Sequence, residues 1–256
     1  AGERAHVRLL KPIDRVARTV RIRGSHDPLI DEAADELRRS DIRAYVSSAH
    51  VGSMGALLAL SRGEAQLGGI HLLNESDGSY NVSYVEQYIP DGGVALIECV
   101  RRAQGLIVQK GNPLGISSVK DLARSGVRYA NRQKGAGTRV LLDYLLKQNG
   151  ISPLQIEGYA REELTHTAVA AQISAGSADC GLGILSAARM YDLDFVPACE
   201  ETYDLLVSLS AMESPQVRAF LRILGSEAFL KRLDALGGYT YDQPGRVKKI
   251  WPEKQQ

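Results

Sequence analysis

Apolar positions along this chain follow two repeats in turn, one typical of strands and one typical of helices. Residues 19 to 23 alternate in the strand manner, a polar turn follows, and apolar residues then recur at helical spacing from Leu29 to Leu37. The unit returns with a strand at 42 to 46 and a helix at 56 to 62, and a third strand is predicted at 66 to 70. This order predicts a largely parallel sheet covered by helices.

The second half of the chain repeats this alternation with longer loops between the elements. Further strands are predicted at 105 to 108, 127 to 130, 155 to 159 and 180 to 184. Further helices are predicted at 119 to 124, 140 to 146, 165 to 173, 215 to 224 and 227 to 236. We expect the last two helices to pack back on the first part of the sheet, and the tail at 248 to 251 to lie on the surface.

The segment from Asn131 to Arg139 has the composition of an anion-binding loop. Gly135 and Gly137 allow the backbone to approach a ligand closely, and Thr138 can cap the next helix or offer a hydroxyl. Arg132 can add a full positive charge, for which Lys134 and Arg139 are the alternatives. A simple helix cap explains the glycine and threonine equally well at this point.

Three other polar side chains follow predicted strands, namely Ser25, Ser53 and His71. Ligands of open α/β sheets bind outside the carboxyl ends of the strands, where these residues are expected. Taken singly, such a serine is usually a helix cap and such a histidine a hydrogen-bonded structural residue. Their shared position favours a ligand site.

The segments 131 to 143, 166 to 170 and 176 to 183 together resemble the periplasmic-binding-protein-like domain of molybdenum-related bacterial and archaeal proteins. The resemblance covers about residues 19 to 210. That domain is similar to the substrate domain of LysR-type regulators and, more distantly, to periplasmic tungstate and molybdate receptors. The resemblance implies an α/β fold of type II, with two lobes of mixed, mostly parallel sheet around a cleft.

The implied division places an arm or linker at residues 1 to 18. Lobe 1 is expected to comprise 19 to 102 plus 205 to 256, and lobe 2 to comprise 103 to 204. Ligand would bind between the lobes, which close over it. In that family the domain is often fused behind a molybdopterin-biosynthesis protein or a DNA-binding helix-turn-helix, so we expect such a fused or partner N-terminal domain. Whether the chain forms a homodimer is not decided by the sequence.

Matching the receptors' turns onto this chain gives a set of expected ligand-binding residues. His26 stands where the receptors have a small hydroxyl residue, Met54 where they have glycine, and Ala136 where they have serine. The expected set is Ser25, His26, Ser53, Met54 and His71 from lobe 1, and Arg132, Gly135, Gly137, Thr138, His166 and Thr167 from lobe 2.

The chemistry of these residues suits a tetrahedral dianion. Molybdate, tungstate and sulfate offer only acceptor oxygens, so their site should supply N–H and O–H donors and positive charge. Molybdate or tungstate is the ligand that the resemblance favours. Protonated phosphate would instead need an acceptor such as Asp27, whose other expected role is to cap the helix after Pro28.

Two alternatives remain at the sequence level. A LysR-like effector domain for a small organic anion or pterin-related ligand would use the polar loop at 74 to 81 and the histidines. An enzyme would use His26 or His166 near Asp27, but no nucleophile motif or metal-ligand cluster accompanies them. We therefore expect a binding domain without catalysis, cofactor or resident metal.

Composition narrows the setting rather than the function. The 256 residues are 44% hydrophobic and 24% charged with a net charge of +1, which argues against a general nucleic-acid binder. No apolar run approaches the roughly 18 residues of a membrane span. Three cysteines without metal-ligand spacing lie in or beside apolar runs, and we expect buried free thiols in a reducing, cytoplasmic compartment: Cys99, Cys180 and Cys199.

Overall fold

The computed structural model describes Arg8 and residues 11 to 254. The predicted arm at 1 to 18 therefore lies partly outside the described residues. Its described part forms a short exposed helix, α1 (Ile13–Ala17), which leads directly into the first strand.

The remaining elements alternate along the chain as the apolar pattern predicts. The strands are β1 (Thr19–Gly24), β2 (Tyr45–His50), β3 (Leu67–Ile70), β4 (Val94–Val108), β5 (Asn131–Arg132), β6 (Glu162–Glu163), β7 (Cys180–Ile184), β8 (Asp194–Ser208), β9 (Tyr239–Thr240) and β10 (Val247–Trp251). The other helices are α2 (Pro28–Arg39), α3 (Gly52–Ser61), α4 (Val82–Tyr88), α5 (Gly137–Gln148), α6 (His166–Ser174), α7 (Leu185–Met190), α8 (Leu209–Met212), α9 (Pro215–Leu224) and α10 (Glu227–Leu236). Two 3-10 helices cover Val119–Ala123 and Pro153–Gln155.

The main sheet is mixed, which confirms the predicted α/β class. Its strand order is β10-β4-β8-β3-β1-β2, and β7 and β9 also pair with β4. Strand β1 is parallel to β2 and β3, whereas β8 is antiparallel to β3 and β4. Strands β5 and β6 form a separate parallel pair.

Strands β4 and β8 join the two lobes. Each is 15 residues long, and together they form an antiparallel ribbon that passes through both parts of the molecule. One end of this ribbon pairs with β3, and the other end pairs with β7. The ladder shifts register between Glu98 and Val100 and again between Gln104 and Gly105. The exact lobe boundaries given above stay a prediction.

Separate hydrophobic clusters stabilise the two faces of the sheet. Helices α2, α9 and α10 pack on one face, with Leu29, Phe220 and Phe229 fully buried. Helix α2 forms because its apolar residues share one side, Pro28 occupies its first turn, and Asp27 caps it by accepting from the Leu29 N–H at 2.8 Å. Helix α3 and the strands beneath it form the cluster on the other face.

Several boundaries differ from the sequence prediction. The strand at 155 to 159 is wrong, because Ser152 caps the 3-10 helix at Pro153–Gln155 and turns follow it. Strand 127 to 130 is reduced to an isolated bridge at Tyr129. Strand β2 begins three residues later than expected, and α3 begins four residues earlier.

The structure also tests two expectations about which residues are buried and which are exposed. Cys99 and Cys180 are buried free thiols, but Cys199 is exposed because residues 197 to 200 of β8 face outward. The tail at 248 to 251 lies on the surface as expected, where it forms most of β10, a largely exposed strand beside β4. No helix among residues 11 to 254 is long and apolar enough to span a bilayer.

Candidate functional site

The parallel arrangement of β1 and β3 brings their carboxyl ends, and the side chains that follow them, together. Ser25 donates its backbone N–H to Gly69 O at 2.9 Å, and its hydroxyl lies 2.7 Å from His71 Nε2. Ser53, in the first turn of α3, accepts from the His71 backbone N–H at 3.2 Å. The three predicted residues thus form one buried group in lobe 1.

A buried network from β4 and β8 supports this group. His71 Nδ1 lies 2.8 Å from Glu201 Oε2. The guanidinium of Arg102 bridges Glu201 and Asp27, and all three side chains are buried. Gln104 adds a hydrogen bond to Glu201 at 2.7 Å. The side chain of His71 is therefore held between Ser25 and Glu201.

Lobe 2 brings Arg132 to the opposite side of this group. Arg132 is buried on the short strand β5, where Nε donates to Glu163 O at 3.3 Å and Nη2 donates to Leu164 O at 3.1 Å. Its Nη1 has no hydrogen-bond partner in the protein. Two backbone carbonyls thus fix the guanidinium and leave its Nη1 amino group to serve a ligand.

The glycines of the predicted anion loop lie where the lobes touch. A Cβ at Gly137 would stand 2.3 Å from His71 O, so only glycine allows this approach. Gly135 has a φ of +86°, and its carbonyl accepts from the Met54 N–H at 3.2 Å. Thr138 is buried and accepts from Gln104 Nε2 at 3.0 Å. The loop and the first turn of α3 therefore meet directly.

His166 begins α6 on the same side as Arg132. Thr165 caps this helix by accepting from the Ala168 N–H at 2.9 Å. The His166 ring is fully buried, its centroid lies 6.3 Å from that of His71, and neither ring nitrogen has a hydrogen-bond partner. The hydroxyl of Thr167 is engaged with Thr165 at 3.0 Å. His166 therefore presents unused polar atoms to the centre.

We call the region enclosed by Ser25, Ser53, His71, Arg132 and His166 the central cleft. Of the predicted residues, His26 and Met54 are the least directly engaged with it. His26 Nε2 lies 3.3 Å from the exposed Asp31, and the Met54 side chain packs on the apolar cluster of α3.

Unpartnered buried polar atoms are concentrated around the central cleft. Among the described residues, they are His26 Nδ1, Arg102 Nη2, Gln104 Oε1, Arg132 Nη1 and both ring nitrogens of His166, with Trp251 Nε1 as the one remote case. Buried polar groups normally have partners, because leaving one unpaired costs about 1–3 kcal/mol. Five nitrogens and one oxygen near the cleft thus mark it as a site for a polar ligand.

Electrostatics in the cleft favour an anion. Burial, together with the nearby charge of Arg102, lowers the pKa of Arg132 to about 10. Burial also lowers the pKa of His166, and the charges of Arg132 and Arg102 add to this effect. Burial alone would raise the pKa of Glu201, but the charge of Arg102 lowers it to about 2.

Asp27 fulfils the capping role rather than that of a ligand group. Its Oδ1 accepts from the Leu29 N–H at 2.8 Å and from the Tyr239 hydroxyl at 2.7 Å, while Oδ2 pairs with Arg102. Both oxygens are therefore engaged within the protein. The capping prediction is confirmed, and the enzyme arrangement that paired Asp27 with His26 or His166 does not form, because Asp27 contacts Arg102 instead.

Sequence reasoning missed Arg102, Gln104 and Glu201. Arg102 and Glu201 face each other as cross-strand partners in the β4–β8 ladder. The signal available for Arg102 was the presence of charged residues inside the otherwise largely apolar run from Val94 to Val108. Within the described part of the chain, no group of three or more His, Cys, Asp or Glu side chains has a metal-binding arrangement.

Comparison with known protein families and sequences gives two findings. The model of the PBP superfamily domain matches residues 34–225. The uncharacterized protein YvgK of Bacillus subtilis is 37% identical over 223 residues, which are 87% of this chain and 70% of that protein.

Solved structures of the same fold include both transport receptors and regulators. A protein described as a phosphate ABC transporter substrate-binding protein, from Clostridium perfringens with bound phosphate, has a TM-score of 0.64, with 12% identity, covering 88% of this chain and 100% of that one. The regulatory domain of the LysR family regulator MetR from N. meningitidis has a TM-score of 0.59, with 11% identity over 88% and 100% of the chains. The substrate-binding domain of a protein described as a molybdenum ABC transporter, from Clostridium difficile, has a TM-score of 0.55, with 14% identity over 88% and 99%. These likenesses confirm the fold.

Proposed function

Because this chain belongs to the family of PBP superfamily domains, we propose that it binds a small oxyanion, molybdate or tungstate, in the central cleft between its two lobes. The fold is that of a ligand-binding domain, and proteins with it are typically non-catalytic. The observation that carries the proposal is the buried Arg132 guanidinium, anchored by two carbonyls with Nη1 left for a ligand.

The donors around Arg132 suit an anion that only accepts hydrogen bonds. We assign the hydroxyls of Ser25, Ser53 and Thr138, the ring of His166 and the backbone at Gly135 and Gly137 to the ligand shell. The first turn of α5 adds the partial positive charge of a helix N-terminus. The ligand shell would be completed by His26, Met54, His71 and Thr167.

The carboxylates beside the cleft support a fully deprotonated ligand. Both oxygens of Asp27 and both oxygens of Glu201 already accept hydrogen bonds from the protein. Neither carboxylate is left to accept a proton from hydrogen phosphate, which is how a site can select phosphate. As far as these two carboxylates are concerned, molybdate and tungstate are favoured over protonated phosphate, although Gln104 Oε1 is a further acceptor to which a protonated ligand can donate.

The proposed role is that of a sensor or carrier module without catalysis. Closure of the lobes over the ligand would bend the ribbon of β4 and β8 that joins them. A fused or partner domain would respond to this change in shape. A molybdopterin-biosynthesis or DNA-binding partner fits the resemblance described above. We place the domain in a reducing, cytoplasmic compartment, in keeping with its three free cysteines.

A second candidate ligand is a small organic anion or a pterin-related molecule. The observation that favours it is Gln104 Oε1, a buried acceptor without a partner. The orientation of this amide follows from its nitrogen, which donates to Glu201 and to Thr138. A hydroxyl or amino group of a larger ligand would satisfy Gln104 Oε1, whereas a bare oxyanion has no donor to offer.

Thermal melting of the purified chain with molybdate, tungstate, sulfate, phosphate or buffer alone tests the proposal. A ligand at about a hundred times its Kd stabilises by roughly 2.7 kcal/mol, which is about 5 to 11 °C in Tm at this chain length. A shift with molybdate or tungstate that sulfate and phosphate do not produce supports the proposal. A shift only with pterins or small carboxylates supports the second candidate and contradicts the first.

A further inference from the structure

Ser25, His71 and Glu201 form a continuous hydrogen-bonded chain that ends in the central cleft. The hydroxyl of Ser25 lies 2.7 Å from His71 Nε2, and His71 Nδ1 lies 2.8 Å from Glu201 Oε2. All three side chains are buried. Their order is that of a nucleophile, a base and an acid in hydrolases, although here it lies in a binding-protein fold.

The carboxylate at one end of this chain determines the direction of each hydrogen bond. Glu201 is an acceptor, so His71 Nδ1 carries a proton and donates a hydrogen bond to Glu201. In neutral His71, Nε2 must then accept, and the Ser25 hydroxyl must donate to it. In that state Ser25 turns only lone pairs toward the cleft. An oxyanion without protons has no hydrogen-bond donor for these lone pairs, so it forms no hydrogen bond with Ser25.

Protonation of His71 reverses the role of Ser25. When Nε2 carries a proton, it donates to Ser25 Oγ, and the Ser25 hydroxyl rotates to donate to a ligand oxygen. The proton comes from solvent and stays on Nε2, and no covalent bond in the ligand changes. One event therefore supplies both a hydrogen bond to the anion and a positive charge beside it.

The charge balance of the cleft makes this event favourable when a dianion binds. Among the buried groups beside the cleft, Asp27 and Glu201 contribute two negative charges and Arg102 and Arg132 two positive charges, which cancel. If a dianion enters this neutral cleft, no net positive charge nearby balances its two negative charges, and burial weakens the screening by solvent. A proton on His71 reduces this imbalance.

Resting on the function proposed above, we propose that His71 is the residue that adapts the cleft to acceptor-only dianions, each of which binds together with one proton taken up at Nε2 and passed on as a hydrogen bond by Ser25. A ligand that carries its own hydroxyl would satisfy the lone pairs of Ser25 without this proton. His71 thus determines, through Ser25, whether a ligand binds with or without the uptake of a proton.

The groups that face His71 from each neighbouring element are consistent with this role. They are Glu201 and Tyr203 on β8, Arg102 on β4, Arg132 on β5, His166 on α6 and Ser25 after β1. Burial lowers the pKa of His71, Glu201 raises it, and Arg102 and Arg132 lower it again. The free protein accordingly holds His71 neutral near pH 7, and the anion supplies the charge that favours its protonation.

Titration calorimetry of the full chain with sodium molybdate, in Tris and in HEPES buffer, measures the proton count. At about pH 8, above the ordinary pKa of histidine, the two apparent enthalpies should differ by the amount that uptake of about one proton produces. The Kd should rise about tenfold for each pH unit above neutrality. Binding with a proton count near zero overturns the inference and leaves the oxyanion function intact.

Two variants identify the residue that takes the proton. His71→Gln should bind molybdate more weakly and with a proton count near zero. His166→Asn, which alters the other buried histidine of the cleft, should bind more weakly but keep a count of about one. A count that persists in His71→Gln and disappears in His166→Asn assigns the proton to His166 and overturns the inference.

A spectroscopic measurement on the unmodified chain covers the case in which His71→Gln fails to fold. Nitrogen-15 shifts of the His71 ring should show one protonated nitrogen in the free protein and two after molybdate is added. An unchanged ring in a protein that melts higher with molybdate overturns the inference. Absence of any binding of molybdate and tungstate refutes the proposed function itself, and the inference falls with it.

Discussion

Arg132 is the residue on which the ligand proposal depends most. Its guanidinium is buried, donates to two backbone carbonyls and keeps Nη1 for the cleft. The adjacent Lys134 belongs to the same loop but is exposed. The two residues differ in burial and not in sign of charge, so they form a matched pair.

Arg132→Ala should weaken molybdate or tungstate binding by about 2–4 kcal/mol, which is roughly 30- to 1000-fold in Kd, because a buried charge-assisted hydrogen bond to the anion is lost. Lys134→Ala should change Kd only slightly, since its charge is in contact with solvent. Calorimetric Kd values for both variants check this. Equal small effects would refute the placement of the ligand beside Arg132.

Arg102 is expected to determine stability rather than selectivity. Arg102→Met leaves Asp27 and Glu201 as buried carboxylates without their cation, which should destabilise the fold by about 3–5 kcal/mol. The Tm should fall by about 6 to 20 °C. The neighbouring Arg101 is exposed and provides the control, since Arg101→Met should leave the Tm nearly unchanged. A fall of similar size in both variants would contradict the role given to the buried pairs.

At the residue scale, the sequence predicted the parts of the site that follow strands and failed on the parts inside them. Ser25, Ser53 and His71 meet as expected because parallel strands end at the same edge of a sheet. Arg102 and Glu201 become partners only through the antiparallel register of β4 and β8. That register joins positions 99 residues apart in the chain, which no local pattern specifies.

The N-terminus of α5 is the element through which lobe 2 contacts lobe 1. Gly137 lies against the backbone and ring of His71, and Met54 N–H donates to Gly135 O at 3.2 Å. The fit of this helix against His71 therefore controls how closely the two lobes approach.

Gly137→Ala should hold the lobes apart, because its Cβ would lie 2.3 Å from His71 O and 2.6 Å from His71 Nδ1. We expect a loss of about 1–3 kcal/mol in stability together with weaker anion binding. Gly225→Ala is the control: the backbone there also has a negative φ, and the new Cβ would meet its nearest atom, Pro244 O, at 3.1 Å. Melting curves and Kd values for both variants decide the matter, and unaltered binding by Gly137→Ala would contradict the close approach.

At the element scale, two of the helices with one apolar side, α9 and α10, were predictable to their ends. The predicted bounds of α9 and α10 coincide with those in the structure, and α2 carries both expected signals, Pro28 and the Asp27 cap. The short strands β5 and β6 were not predictable, because two-residue strands have no periodicity to detect. Their positions depend on tertiary contacts, as the Asn131 N–H shows by donating to Arg161 O at 2.9 Å.

At the scale of the whole molecule, the buried histidines and Glu201 give stability a defined dependence on pH. Burial lowers the pKa of His71 and His166 from 6.5 in the folded protein. The pKa of Glu201 falls from 4.5 to about 2. Below these ordinary values the unfolded chain binds more protons than the folded chain, so each group contributes stability at higher pH that is lost as the pH falls.

The Tm of the free protein should therefore be nearly constant above neutral pH and should decline as the pH falls below about 6.5, with Glu201 adding to the loss at still lower pH. His166→Asn should make the decline between neutral and mildly acidic pH shallower, because one of the depressed histidines is gone. Melting curves across that pH range provide the test. A Tm that rises on acidification would contradict the neutral, buried state of these rings.

The alternation of strands and helices gave the α/β class and the resemblance gave the two-lobed architecture, but neither predicted how the lobes are joined. The sequence pattern predicted a strand only at 105 to 108, whereas β4 is one strand of 15 residues that pairs with β8 through both lobes. Arg101, Arg102 and Gln104 interrupt the apolar pattern of this segment and hide its continuity. The connection between the lobes is thus a property of paired strands and not of a local sequence signal.

A crystal grown with sodium tungstate offers the most direct test of the central claim, because tungsten scatters anomalously and can be located without a model of the ligand. The account predicts one strong anomalous peak in the central cleft, within contact of Arg132 Nη1 and the hydroxyls of Ser25 and Ser53. A peak only at the protein surface, or density in the cleft for an organic molecule alone, would contradict it.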